Sequence, residues 1–170
     1  MSSIVGKPLH EGVRYETFRD LILGSKEKFP SRDSFIFRRK PNEAEIHKTY
    51  NDFASDIEYL VEAIHIHGFA GKHLGVVGEN AYEWMVSYSA ILSSGSVGLP
   101  LDRLLPEQEL ISLLVRGKVE VLFYHQKHHE MVMDIAKNAE ENGVKVKKYI
   151  CMCTEYIAPN QEFPKDDERF

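Results

Sequence analysis

Apolar positions along this chain switch repeatedly between a helical period and short continuous runs. From Tyr15 to Phe29, Phe18, Leu21, Ile22 and Phe29 recur at helix-like spacing and Pro30 supplies the stop, so this stretch predicts a leading helix. Ser34 to Arg38 and Glu45 to Thr49 flank the polar, proline-containing segment Lys40 to Ala44, the pattern of two short strands joined as a hairpin. Thr49 is followed three residues later by Asp52, a capping pair, and Phe53, Ile57, Leu60, Val61 and Ile64 then share one helix face up to Gly68. Beyond Gly68 the unit changes. Leu74 to Gly78 is a short apolar run, Ala81 to Ser94 a nearly all-apolar helix, and Ser96 to Leu101 a second apolar run. Pro106 marks the start of the next helix, with Glu107 and Glu109 near its positive end and Leu110, Leu113 and Leu114 facing inward. Val119 to Tyr124 reads as a strand, His129 to Asn142 as a helix closed by Gly143, and Val144 to Met152 as a strand of alternating character.

Short buried strands separated by helices imply an α/β fold, a mostly parallel sheet flanked by helices and preceded by the leading helix and hairpin. The expected organisation is 1–48 for helix and hairpin, 49–160 for the strand-helix repeats, and 161–170 (EFPKDDERF after Gln161) as a charged, aperiodic tail that is frayed or cut.

Composition narrows the function classes. At 170 residues and 43% hydrophobic content the chain can bury a substantial core. Its 21 basic residues are scattered among 26 acidic ones for a formal charge of -5, which argues against nucleic acid as a partner. No window approaches the roughly 18 apolar residues of a membrane span, so a soluble, cytoplasmic protein is expected. The two cysteines, Cys151 and Cys153, stand in a C-x-C pattern that does not suit a disulfide and fits a reducing compartment.

The chemistry-bearing residues do not assemble into a catalytic set. His125, His128 and His129 cluster, but no other cysteine or acid has ligand spacing to them, so they read as surface histidines near a strand end and no metal is expected. His65 and His67, two apart on a helix, point in different directions. The Gly-Lys pairs at Gly6, Gly71 and Gly117 lack the context of a phosphate loop, and there is no G-x-S-x-G elbow. The informative segment is Gly78-Glu79-Asn80-Ala81-Tyr82-Glu83-Trp84, at the carboxyl end of a predicted parallel strand, where open α/β sheets bind ligands. Asn80 is either a ligand contact or a helix cap with Glu83 completing the box and Trp84 anchoring the core; Asp102, after the next strand, either meets a ligand or satisfies a turn. Gly78, Glu79, Asn80 and Asp102 are the candidate substrate-binding residues.

The order of these pieces is more specific than any one of them: Thr49-Tyr50 with its amphipathic helix to Gly68, then LGVVGENAYEW, then AILSSGSVGLPLD, then LPEQEL from Leu105 to Leu110. It resembles the amino-terminal region of AMP-forming acyl-CoA synthetases of the adenylate-forming superfamily, and the G-E-N-x-x-E-W form with L-P-L-D is most similar to the long-chain fatty acid branch. The resemblance covers Tyr15 to Tyr124 well and the remainder loosely. It implies a reaction in which a carboxylate attacks the α-phosphate of ATP to give acyl-AMP and pyrophosphate, after which the coenzyme A thiol displaces AMP, with magnesium balancing the triphosphate. The family's Ser/Thr/Gly-rich loop ending in Pro-Lys-Gly, its aromatic-Gly-x-Thr-Glu and Thr-Gly-Asp elements and its carboxyl-terminal lysine are absent from these 170 residues. The expectation is therefore a front fragment, inactive alone and binding no cofactor by itself, whose partner is the missing remainder or a second copy held through apolar surface left uncovered. The rival readings are a stand-alone acyl or acyl-CoA binding module and, weakened by the lack of a flavin-phosphate loop, a small flavodoxin-like enzyme.

Overall fold

The computed structural model describes Gly6, residues 12–153 and Glu168–Arg169. Helix α1 (Phe18–Lys28) begins later than Tyr15 because Thr17 and Asp20 form a capping box, the Thr17 hydroxyl accepting from Asp20 N at 3.1 Å. Tyr15 instead folds back on the helix, and a Cβ on Gly24 would fall 2.6 Å from its ring. Strands β1 (Asp33–Phe37) and β2 (Ile46–Thr49) pair antiparallel as the predicted hairpin, with a register irregularity between Asp33 and Phe35. There the Ser34 hydroxyl donates to the Lys48 carbonyl at 2.9 Å. Helix α2 (Tyr50–Ile66) starts where expected, since Asp52 Oδ2 accepts from both the backbone N (2.9 Å) and the hydroxyl (2.8 Å) of Thr49.

The second sheet holds β3 (His73–Val77), β4 (Val97–Leu101), β5 (Val121–Tyr124) and β6 (Lys148–Cys151), all parallel and in the order β4-β3-β5-β6. Helices α3 (Tyr82–Ser93), α4 (Glu107–Arg116) and α5 (His129–Lys137) make the connections. Side chains alternate across the sheet. Leu74, Val76, Val121 and Phe123 pack with α2 and α3, while Val77, Leu122 and Tyr124 pack with α4 and α5. Both faces are therefore covered, which is why β3 and β5 read as unbroken apolar runs. In β4, Pro100 stands opposite Val76, and Val97 N donates to Lys72 O at 2.9 Å.

Helix α5 and strand β6 are each at least four residues shorter than their periodicity predicts. Helix α5 ends at Lys137, because Asn138 to Gly143 run through turns and Gly143 takes φ +69°, letting Val144 N return to Ala139 O at 2.8 Å. Strand β6 begins at Lys148, because β5 begins only at Val121 and offers Val144 and Val146 no partner, although both are buried. Of the expected frayed tail, the structure describes Glu168 and Arg169, and these two are held: Arg169 O accepts from Tyr149 N at 2.6 Å and its guanidinium donates to Ala136 O at 3.0 Å. No helix among the described residues is long and apolar enough to cross a membrane.

The connection β3-α3-β4 runs to one side of β3, while β5-α5-β6 runs to the other, with α3 and α5 on opposite faces. A crevice consequently opens beyond the carboxyl ends of β3 and β5. Here a Cβ on Gly78 would fall 2.5 Å from His125 Cβ. Replacing Gly78 with Ala should therefore cost about 1–3 kcal/mol of stability by overpacking, read as a lower urea midpoint at unchanged slope. The hairpin carries a second expectation. His47 Nδ1 lies 2.8 Å from Asp33 Oδ2, and this hydrogen bond, with lesser attraction from Glu45, raises the imidazole pKa above 6.5. A raised folded-state pKa gives stability that is full below 6.5 and lost as pH rises through the folded value. His47→Asn should accordingly abolish a small decrease in melting temperature between pH 5.5 and roughly 8, measured in low salt.

Candidate functional site

The crevice widens into a groove of about 1050 Å³ between the two strand-end loops, Glu79 to Ala81 and His125 to Lys127, with the hairpin and the first turn of α3 as its far wall. An aromatic cluster fixes that wall. Phe35 meets Phe53 at 4.9 Å and Tyr82 edge-on at 5.3 Å between ring centroids, and Phe37 stacks on Tyr82 at 5.6 Å. Polar contacts ring the cluster. The Tyr82 hydroxyl donates to Asp56 Oδ2 at 2.7 Å, Lys48 Nζ reaches the same oxygen at 3.0 Å, and the Arg39 guanidinium pairs with Glu83 while lying over the Phe37 ring. Burial, then the hydrogen bond to Asp56, pushes the Tyr82 phenol up, so it stays a neutral donor. Burial lifts the Glu83 carboxyl, but the hydrogen bond from Arg39 outweighs it and the group titrates below its usual range.

Of the four residues singled out from sequence, three meet at the groove. Gly78 admits His125, and Glu79 and Asn80 form the lip. Asn80 is not the helix cap: α3 starts at Tyr82, the cap position is Ala81, and no side chain accepts a hydrogen bond there. The box fails because Glu83 turns to Arg39, leaving Asn80 exposed on the groove. Asp102 does not line the groove. Its Oδ1 accepts from Leu104 N at 2.9 Å, the turn-forming alternative. Trp84 is half-buried, packing against Tyr88 at 5.2 Å on one side and lining the groove on the other.

The histidine cluster is where sequence reasoning failed. His125, His128 and His129 are 8%, 9% and 3% exposed, not surface residues. The loop after β5 continues the ladder, His125 N donating to Val77 O at 3.0 Å, and the polar run tucks under α5. His129 Nδ1 meets the Tyr124 hydroxyl at 3.0 Å, and His125 Nδ1 accepts from Lys127 N at 3.2 Å. Burial lowers the pKa of His125 and His128, so both are neutral at neutral pH. Adjacency of this loop to Gly78 depends on strand order, and local periodicity carries no signal for it.

Glu79 bridges the two strand-end loops, its carboxylate 3.6 Å from Arg103 and 3.9 Å from Lys127. Cys153 also lines the groove, but burial and then Glu83 push its thiol up to about 12, so it is no nucleophile at neutral pH. Among the described residues no three His, Cys, Asp or Glu side chains converge as a metal site. The groove's charged side chains are largely paired with one another, Arg39 with Glu83 and Glu79 with Arg103 and Lys127.

Comparison with known proteins agrees with this architecture. No curated protein matches the chain by sequence. Solved structures do match its fold. They include a long-chain-fatty-acid-CoA ligase from Archaeoglobus fulgidus (TM-score 0.66, 19% identity, 79% of this chain and 27% of that one). A fatty acyl CoA synthetase from Mycobacterium tuberculosis matches with TM-score 0.68 and 17% identity, over 79% of this chain and 26% of that one. The inhibitor-bound N-terminal domain of FACL13 from the same organism gives 0.70 and 16%, over 81% and 33%. The chain thus spans about a third or less of each of these proteins. The family model described as AMP-binding enzyme matches residues 24–169, from within α1 to the Arg169 contact on β6, and the chain belongs to that family.

Proposed function

We propose that this chain is the front portion of an acid-thiol ligase that activates a carboxylic acid, of the long-chain fatty acid class, with ATP and transfers the acyl group to coenzyme A. The observation that carries the reading is the family match over 24–169 on a fold that forms the strand-end crevice. In this reading Gly78, Glu79 and Asn80 supply one wall of the acyl or coenzyme A site, and Asp102 shapes the turn beyond β4. The residues that grip ATP and magnesium belong to motifs not found in these 170 residues. The chain alone then lacks the groups that stabilise charge developing on phosphorus, usually the largest catalytic contribution.

Pyrophosphate release is the direct measurement. With ATP, magnesium and fatty acids of several lengths, the isolated chain should show no turnover above buffer, and sustained release would overturn the reading.

The reading also assigns a partner. Tyr59 and Ile66, seven apart on α2 and 71% and 73% exposed, form an apolar stripe that the remainder of the enzyme would cover. Light scattering of the isolated chain at increasing concentration should show self-association that Tyr59→Lys with Ile66→Lys reduces; a monomer at every concentration would count against it.

A further inference from the structure

The two loops of the crevice differ in what they present to a ligand. On the β3 side, the Glu79 carboxylate faces Arg103 and Lys127, and Asn80 is exposed and caps no helix. On the β5 side stands one polar group whose position and proton are both fixed. The His125 backbone N is tied to Val77 O at 3.0 Å, and its Cβ abuts Gly78. Its Nδ1 accepts from Lys127 N at 3.2 Å, and a ring nitrogen that accepts carries no proton. In the neutral ring the proton therefore sits on Nε2, for which the described residues provide no partner. Burial, reinforced by Lys127, keeps the ring neutral at neutral pH.

The surroundings indicate what such a donor would meet. Arg38 and Arg39 line the groove but are paired with Glu45 and Glu83, so Lys127 on the β5 side is the groove cation beside His125. Lys127 is 66% exposed, and its contact with Glu79 is a long one at 3.9 Å, so a ligand carboxylate next to His125 can compete for it. Phe37 and Trp84 offer apolar surface on the opposite wall. An acid would thus find a directional N–H and a nearby ammonium at one end and aromatic surface for its chain at the other.

We propose that His125 is the positioning residue of the crevice, its Nε2–H donating to a carboxylate oxygen of the acid whose chain lies along Phe37 and Trp84. This rests on the reading of the crevice as a wall of the acyl site, and it adds which side chain reads the head group. It also assigns Gly78 a role in ligand geometry, since only a residue without Cβ lets the His125 ring sit at that depth.

Trp84 is the single tryptophan of the chain, so its fluorescence reports the groove directly. The test titrates dodecanoate and dodecanol, each below its aggregation limit, into the wild-type chain and two variants. His125→Gln keeps an N–H where Nε2 stands but gives up the acceptor for Lys127 N; His125→Asn keeps that acceptor but not the reach of the donor. Donation to the carboxylate requires dodecanoate affinity to fall about tenfold or more in His125→Asn and to stay within about threefold in His125→Gln, with dodecanol nearly unchanged in both. A merely structural histidine gives the reverse order, and that result, or equal losses in both variants, overturns the proposal. In the wild-type chain, the ¹⁵N imidazole spectrum should show His125 protonated at Nε2 and that nitrogen shifting on addition of dodecanoate but not dodecanol; a proton on Nδ1, or no shift, overturns it even if a variant fails to fold. Silence of Trp84 toward both amphiphiles overturns the crevice reading itself, whereas binding indifferent to His125→Asn overturns the His125 assignment alone.

Discussion

The closeness of the β3 and β5 strand ends, set by the missing side chain of Gly78, is the constraint on which the rest of the structure turns. Because His125 Cβ occupies the space a Gly78 Cβ would need, the ladder can run to the last residue of both strands before the chains diverge. Divergence then sends α3 to one face and α5 to the other, and the crevice is the gap they leave. The same approach buries His125 and fixes its backbone. One glycine thus links sheet register, crevice depth and the protonation pattern of the loop beyond β5.

The hairpin contributes the opposite wall through a different kind of contact. Its hold on α2 and α3 is an aromatic core, Phe35 and Phe37 on Phe53 and Tyr82, edged by Arg39–Glu83 and Lys48–Asp56. The rings supply the burial. The ion pairs are only partly withdrawn from solvent, so their main effect is on orientation, since a partly desolvated pair gains little net energy but penalises any arrangement that separates its members. Tyr82 sits in both sets, stacking on Phe37 while its hydroxyl holds Asp56.

Much of this was legible from residue order. Thr49 with Asp52 announces α2, the apolar runs announce β3 to β5, and the position of Gly78 to Asn80 at the carboxyl end of a parallel strand is readable from the run that precedes them. What escaped was everything decided by neighbours distant in sequence. Asn80 looked like a cap until Arg39, forty-one residues earlier, drew Glu83 away. His125, His128 and His129 looked solvated because polar residues at a strand end usually are, and only the sheet order puts them under cover. Val144 and Val146 alternate as a strand should, yet a strand needs a partner, and β5 starts too late to be one.

Pro100 has a consequence for how this sheet can grow. Val97 turns its N–H toward β3, so in the alternation along β4 the position of Pro100 faces away from β3. At that position there is no N–H to give. A strand laid along the outside of β4 would find a gap in the middle of its ladder, which makes this flank a poor template for pairing with another chain. The two margins of the sheet are therefore closed by different means: the β4 side by a single imino acid, the β6 side by the bond that Tyr149 N already gives to Arg169 O.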